Sequence, residues 1–256
     1  MKKKNIKDFV DFGRSINYLR FIQVDALNNG RSMVKYALET SITSVDELDL
    51  IVTANVRQFL DLKEYKEKYD EKNSDGLVTN EDIQEISSLM HHIKDVIDAE
   101  LQGKIVFVIT EKRMKVTKLL DDIKTLFAED VFINLPDLPR FDFKEGGKCI
   151  AFERPTAGAF HILRGMEGIL RWLHDKLTNS SGCSYNWGPI INNLKKLSNP
   201  PPNEILDQSD AIRVNYRNPT AHPELIYTID DTQDLLSECI AVVNRIVHHL
   251  KDNNLL

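Results

Sequence analysis

The chain has little of what several protein classes require. It contains 3 cysteines, at positions 149, 183 and 239, too few and too unevenly spaced for a disulfide framework or a paired metal motif. No apolar run approaches the roughly 20 residues that a membrane span needs. The mostly polar segment Asn-Ile-Lys-Asp at 5–8 stands where the apolar core of a signal peptide would follow the N-terminal lysines. We therefore expect a cytoplasmic protein with no membrane partner.

The short motifs of several enzyme classes are also missing. The chain has no glycine-rich phosphate loop, no nucleophile elbow and no His-Glu-x-x-His sequence, so neither nucleotide hydrolysis nor zinc-dependent hydrolysis is indicated. The pairs His91-His92 and His248-His249 are adjacent, and adjacent side chains on a helix point about 100° apart. Such pairs do not share one metal ion comfortably. We predict no metal and no cofactor.

The charge balance limits how the protein can contact nucleic acid. The 33 basic and 39 acidic side chains give a net charge of −6, which argues against a surface that coats nucleic acid through many phosphate contacts. Any contact with RNA must therefore be local. The 42% apolar and 28% charged content is ordinary for a folded chain.

Apolar spacing predicts a mainly all-α fold. In the N-terminal half it predicts helices over 45–69 and 81–101, packed as a long hairpin. A continuous run of β-branched and aromatic residues at 105–109 predicts one short buried strand.

A stretch with two prolines and no periodicity, residues 134–140, is the best candidate for a domain boundary. We place an N-terminal helical region at 1–135 and a helical domain at 136–256. The domain is predicted to be a bundle of four helices, at 155–177, 187–197, 207–216 and 230–250.

Residues 71–82 have two interpretations. Oxygen side chains at loop positions one, three, five, nine and twelve, with glycine at six, are typical of a calcium-binding loop. However, Glu71 replaces the usual aspartate, and Asp82 is short for the usual bidentate ligand. The Asn-Ser-Asp-Gly segment fits a plain turn between two helices equally well.

The most informative segment is 217–223, Arg-Asn-Pro-Thr-Ala-His-Pro. Pro219 and Pro223 disfavour the α conformation in the residues before them, so we expect a helix that ends at Arg217 and a tight loop that returns His222 beside it. A guanidinium binds phosphate oxygens, and an imidazole moves protons near neutral pH. The pair indicates metal-free cleavage of a phosphodiester, although a proline-framed polar loop often only connects helices.

A polar stripe runs along the helix predicted at 155–177. His161, Arg164, Glu167 and Arg171 follow one another at i, i+3, i+6 and i+10, so neighbouring members can touch. In one interpretation the stripe faces the segment 217–223, with Glu167 holding an arginine or histidine in position. In the other it is an exposed ladder of ion pairs that contributes little.

Two stretches resemble the HEPN-domain endoribonucleases. Arg217-Asn218 followed by His222-Pro223 resembles the Arg-x4–6-His signature of that family, and residues 149–157 with Phe160 to Arg164 and Glu167 resemble the helix before it. The resemblance covers residues 140–250. It implies an up-and-down bundle that dimerises, in which the catalytic residues are Arg217, Asn218 and His222 and the residues that bind substrate or support them are His161, Arg164 and Glu167.

The resemblance also implies a function. Such a protein cleaves RNA by attack of the ribose 2′-hydroxyl, without metal, and leaves 2′,3′-cyclic phosphate and 5′-hydroxyl ends. Members often act as toxins or phage-defence effectors on transfer or messenger RNA, and an antitoxin or regulatory protein is an expected partner. Residues 1–135 would then serve regulation or target choice. The alternative is a noncatalytic HEPN-like module that binds a nucleotide, RNA or a protein.

Overall fold

Two compact units make up the chain. The computed structural model describes residues 5–22, 31–72, 79–105, 108–183, 185–220, 222 and 225–256. One unit spans Met1–Val106 and the other Phe107–Leu256. Every regular element within the described ranges is helical, which confirms the predicted all-α fold.

The described helices of the N-terminal unit bury their apolar faces in one core. They are α1 (Ile6–Arg20), α2 (Arg31–Glu47), α3 (Ile51–Asn55), α4 (Arg57–Lys72) and α5 (Asn80–Gln102). The core contains Phe59 and Met90, which are almost completely buried. Asn5 and Thr79 cap α1 and α5, because their side-chain oxygens accept backbone N–H groups that have no acceptor within the helix.

The helix predicted over 45–69 is interrupted. Asp49 takes a left-handed conformation (φ 53°), and the short α3 separates α2 from α4. Glu100 of α5 stabilises this arrangement, because its carboxylate accepts the backbone N–H groups of Val52 and Thr53 at 3.0 and 2.8 Å. These N–H groups lie in the first turn of α3, where a helix supplies no acceptor. A contact from a distant helix therefore sets a boundary that local periodicity does not indicate.

The second helix of the predicted hairpin, 81–101, lies within α5, and α5 packs against α4. Most of the segment 71–82, the candidate calcium loop, is outside the described residues. Its last part starts α5, where the Asp82 carboxylate accepts the Thr79 N–H at 2.8 Å. This bond belongs to a capping box, a device that begins helices.

In the C-terminal unit, α8 contacts α7, α9 and α12 and forms the centre of the core. The helices are α6 (Val116–Asp121), α7 (Asp137–Ala151), α8 (Pro155–Thr178), α9 (Trp187–Leu194), α10 (Asn203–Ile212), α11 (Asn218–Thr220) and α12 (Ile229–Asp252). Within the described residues of this unit there are also two 3-10 turns, Ile123–Leu126 and Phe132–Asn134, and one π-helical turn, Arg213–Arg217. The four predicted helices of the bundle are present, and α10 starts before the predicted 207, directly after Pro202.

The unit boundary lies at 106/107 and not at the predicted 135/136. The segment before Pro136 belongs to the C-terminal core, since the ring of Phe127 packs 5.2 Å from that of Phe143 in α7. The two prolines begin a helix and do not form a linker. Pro136 precedes α7 and Pro139 lies in its first turn, where the missing N–H costs no intrahelical hydrogen bond.

Helices α7 and α8 approach each other closely at glycine positions. A Cβ atom on Gly146 would lie 2.7 Å from Cγ1 of Ile162, and one on Gly165 would lie 3.1 Å from Cβ of Asp142. A larger residue at Gly146 would push the helices apart. These glycines permit close packing of two regular helices.

The predicted strand at 105–109 is absent from the described part of that run. Ile105, Val108 and Ile109 belong to no strand, while residues 106 and 107 lie outside the described residues. Within the ranges that the structure describes, no helix combines the length and apolar character needed to span a bilayer.

Candidate functional site

Arg217 is the last residue of the π-helical turn between α10 and α11. The N–H of Asn218 donates to the carbonyl of Arg213, five residues earlier. Pro219 explains the wider turn, because proline has no N–H and its ring clashes with the carbonyl four residues before it in a regular α-helix. Helical structure continues to Thr220, so the prediction that the helix ends at Arg217 is wrong.

Hydrogen bonds anchor both ends of the loop after Thr220. The Thr220 hydroxyl donates to the Tyr216 carbonyl at 2.6 Å and lies 2.5 Å from the hydroxyl of Tyr227. The N–H of Tyr227 donates to Oγ1 of Thr156, at the start of α8, at 3.3 Å. Burial raises the pKa of Tyr227, so its hydroxyl stays protonated. The loop that carries His222 is therefore tied to α8.

Glu167 of α8 lies between two guanidinium groups. Its Oε1 accepts from Arg171 at 2.6 Å, and its Oε2 lies 3.6 Å from Nε of Arg217. The Glu167 side chain is 17% exposed, and that of Arg217 is 39% exposed. The carboxylate thus restrains Arg217 while leaving part of its guanidinium open to solvent. Of the two interpretations of the polar stripe, this contact matches the one in which Glu167 holds an arginine of segment 217–223.

A buried carboxylate joins the other two predicted residues of the stripe. Asp142 of α7 has a fully buried side chain. Arg164 donates to it from Nε at 2.8 and 3.0 Å and from Nη2 at 2.5 Å, and Nδ1 of His161 lies 2.9 Å from Oδ1. The hydrogen bonds from Arg164 and the negative charge of Asp142 raise the pKa of the guanidinium, against the effect of burial. Arg164 therefore stays charged, and its side chain is 56% exposed.

His222 is exposed at the surface. Its backbone N–H donates to the Pro219 carbonyl at 2.8 Å, and its carbonyl accepts from Leu225 at 3.4 Å. Within the described part of the chain, no hydrogen bond or ion pair joins its ring to Arg217 or to the polar stripe. Asn218 is exposed as well. The two residues share one anchored segment with Arg217, without a side-chain contact between them.

Two exposed phenylalanines flank the stripe. Phe141 and Phe160 are 50% and 55% exposed, and the Phe141 ring lies 6.3 Å from that of His161 in an edge-on arrangement. Phe160 precedes His161 in α8 and lies one turn from Arg164. Exposed aromatic rings beside a guanidinium are the groups on which unpaired bases stack.

Asp142 was missed by sequence reasoning, although the sequence contains a signal for it. The buried positions of α7 include 139, 142, 143, 146 and 150, so Asp142 occupies the apolar face of its helix. A charged residue at such a position is rarely fully buried without a partner. That argument alone predicts a cation opposite Asp142, but not which of the arginines provides it.

No protein-family model, curated protein or solved structure matches this chain. Among the described residues, one cluster of three side chains could ligate a metal ion, and it consists of His174 and Asp175 of α8 with Cys183.

Proposed function

We propose that the protein is a cytoplasmic, metal-independent endoribonuclease that resembles the HEPN-domain family. The observation that carries the proposal is the 3.6 Å contact between Arg217 and Glu167. It links the two stretches of sequence on which the resemblance rests, and it holds a cation at the surface beside the loop of His222.

The proposed chemistry uses the exposed imidazole and the restrained guanidinium. His222 accepts the proton of a ribose 2′-hydroxyl, whose oxygen then attacks the adjacent phosphorus. The bond from phosphorus to the 5′ oxygen breaks, and an imidazolium protonates that oxygen. Arg217 stabilises the extra negative charge on the phosphoryl oxygens, and Asn218 positions the phosphate. The products are a 2′,3′-cyclic phosphate and a 5′-hydroxyl.

The surrounding surface supports an RNA substrate. Arg164 offers a partly exposed charge to a second phosphate, and the exposed rings of Phe141 and Phe160 offer stacking surfaces to unpaired bases. This arrangement is local, as the overall charge of −6 requires. Single-stranded RNA, such as a loop of transfer RNA or a stretch of messenger RNA, suits it better than a duplex.

The active species is proposed to be a homodimer. One loop supplies one imidazole, while the reaction needs a base and an acid, so two copies of His222 facing each other would supply both. A toxin or phage-defence role, an antitoxin or regulatory partner, and target choice by the N-terminal unit complete the proposal. These roles are implied by the resemblance to the HEPN-domain family and not by particular residues of this chain.

A noncatalytic module is the second candidate. The observation that favours it is the His222 ring, which no described residue orients through a hydrogen bond. A catalytic imidazole is commonly held in one tautomer and orientation by a partner. In this alternative Arg217 and Arg164 bind a nucleotide, RNA or a protein, and no bond is cleaved.

Incubation of the purified protein with total RNA and excess chelator tests the proposal. We expect cleavage that leaves 2′,3′-cyclic phosphate and 5′-hydroxyl ends, and a loss of at least about 100-fold in both His222→Ala and Arg217→Ala. His248→Ala is the matched control, because His248 is an exposed histidine of the same unit. Circular dichroism of each variant establishes that it is folded.

Two results would contradict the proposed nuclease activity or its site. A folded, fully active His222→Ala protein would remove the site assignment. Absence of cleavage by the wild type at every protein concentration, together with RNA binding that Arg217→Ala abolishes, would favour the noncatalytic module.

A further inference from the structure

We infer that His174, Asp175 and Cys183 form a binding site for a zinc ion at the C-terminal end of α8. One ligand atom from each of the three residues lies within 4.8 Å of the other two. The inference is independent of the proposed nuclease, since Glu167 lies about two helical turns earlier in α8.

The chain turns back on itself to bring Cys183 to the helix. Asn179 ends α8 in a left-handed conformation (φ 51°). The Asp175 carboxylate then accepts the Gly182 N–H at 3.0 Å, the Cys183 N–H at 3.2 Å and the Ser180 hydroxyl at 3.2 Å. These bonds hold the backbone of Cys183 beside Asp175 in the last turns of α8.

A buried ring nitrogen of His174 without a hydrogen-bond partner in the described part of the chain also supports a bound metal ion. The residue is 8% exposed, and its Nδ1 atom is buried without a hydrogen-bond partner among the described residues. That atom lies 3.7 Å from Oδ1 of Asp175, beyond hydrogen-bonding distance. A buried ring nitrogen without a partner is unfavourable. A metal ion between the nitrogen and the carboxylate would satisfy it.

The donor set and the distances fit zinc. A thiolate sulfur, an imidazole nitrogen and a carboxylate oxygen are the ligands that Zn²⁺ prefers, whereas Ca²⁺ and Mg²⁺ require six or more oxygen ligands. In a tetrahedral site with bonds of about 2.0 Å, a nitrogen and an oxygen ligand lie about 3.3 Å apart. The observed 3.7 Å between His174 and Asp175 needs only a small side-chain adjustment. Three protein ligands leave the fourth position for water.

The ion would hold the loop 179–183 on α8. Hydrogen bonds to the carboxylate and carbonyl of Asp175 and to the Thr178 hydroxyl connect the loop to the helix. A zinc ion would add a link between Cys183 in the loop and His174 and Asp175 in α8. Cys183 loses its thiol proton on binding, so zinc uptake releases a proton. This site departs from the expectation of no metal, because spacing along the sequence does not show that the chain folds Cys183 back onto α8.

Metal titration of the untagged full-length protein tests the inference. The protein is treated with chelator, separated from it, and titrated with Zn²⁺ by calorimetry and with Co²⁺ by absorption spectroscopy. We expect one ion per chain, a thiolate-to-cobalt charge-transfer band, and the visible bands of tetrahedral cobalt. Cys183→Ser should remove the charge-transfer band and weaken Zn²⁺ binding at least tenfold.

Matched controls separate this site from incidental binding. Cys149→Ser changes the other partly exposed cysteine and should leave affinity and spectrum unchanged. His174→Gln should also weaken binding at least tenfold. If it does not fold, Cys183→Ser decides the matter alone. A wild type that binds no zinc would overturn the inference, and so would a Cys183→Ser protein with unchanged affinity.

Discussion

The guanidinium of Arg217 and the carboxylate of Glu167 form an ion pair, with Nε and Oε2 3.6 Å apart. Arg217 ends a π-helical turn and Glu167 projects from the middle of the central helix α8. A second guanidinium, that of Arg171, occupies the other oxygen of the carboxylate. Glu167 therefore restrains Arg217, and this relationship can be tested apart from the residues that we propose to be catalytic.

Glu167→Gln should lower the rate of RNA cleavage by about 10- to 100-fold, because small displacements of a group that stabilises charge cost that much. The loss should appear in kcat more than in KM, since Arg217 remains available to bind phosphate. Thermal melting should change little, because the pair is partly exposed.

Glu145→Gln is the control for this change. Glu145 forms an ion pair with Lys148 three residues later in α7, so its replacement removes a similar contact in the same unit. Its cleavage rate should equal that of the wild type. Full activity in Glu167→Gln would show that Arg217 does not need the carboxylate.

Much of the C-terminal unit could be predicted from local pattern. Pro155 at a helix start and apolar residues at helical spacing are sufficient to place α8, because both signals act within one element. The start of α12 at Ile229 follows equally local chemistry, since Thr228 and Asp231 form a capping box.

Other features depend on contacts between elements and were beyond local reasoning. The break after α2 requires Glu100 of α5 as an acceptor. The continuation of the helix past Pro219 requires a π-helical turn that relieves the clash of the ring, and no residue propensity indicates such a turn. The pairing of Arg217 with Glu167 could be stated only as one of two interpretations, because spacing along α8 does not tell which helix faces it.

Arg164→Met should destabilise the C-terminal unit by about 1–3 kcal/mol, the usual cost of a buried polar group that loses its partner. Asp142 is fully buried, and Arg164 supplies most of its hydrogen bonds. Urea denaturation followed by tryptophan fluorescence measures this, since Trp172 and Trp187 both lie in this unit.

Adding Asp142→Asn to Arg164→Met should recover part of the loss, because the buried group is then neutral. Arg140→Met serves as the control. Arg140 pairs with the exposed Asp137, so its replacement should change stability by less than about 1 kcal/mol. A double variant less stable than Arg164→Met would show that the charge of Asp142 is not the source of the cost.

Glu100→Gln should destabilise the N-terminal unit at neutral pH and have little effect in acid. Burial alone would raise the pKa of Glu100, but hydrogen bonds from Thr53 and Val52 and the charge of Lys104 lower it below its usual value. A group with a lowered folded pKa stabilises the protein above its unfolded pKa, about 4.3. That contribution is lost as the pH falls through the folded pKa.

Urea unfolding followed by far-ultraviolet circular dichroism at pH 7 and near pH 3 measures this difference. The expected loss at pH 7 is about 0.5–1.5 kcal/mol, the range for one hydrogen-bonding group. Asp98→Asn is the control, because Asp98 pairs with Lys94 on the surface of the same helix. An equal loss at both pH values would mean that the charge of Glu100 does not stabilise the start of α3.

Activity in mixtures of wild-type and His222→Ala chains should fall with the square of the wild-type fraction. If one cleft needs an imidazole from each of two copies, a dimer with a single His222 cannot supply both the base and the acid. Equal mixing then leaves about a quarter of the activity, whereas independent sites would leave about half.

The two chains are unfolded and refolded together so that subunits exchange, and light scattering establishes the dimer. His248→Ala, mixed in the same way, should leave activity unchanged. A linear decrease with the wild-type fraction would exclude the shared cleft, while the role of His222 within one chain would still stand.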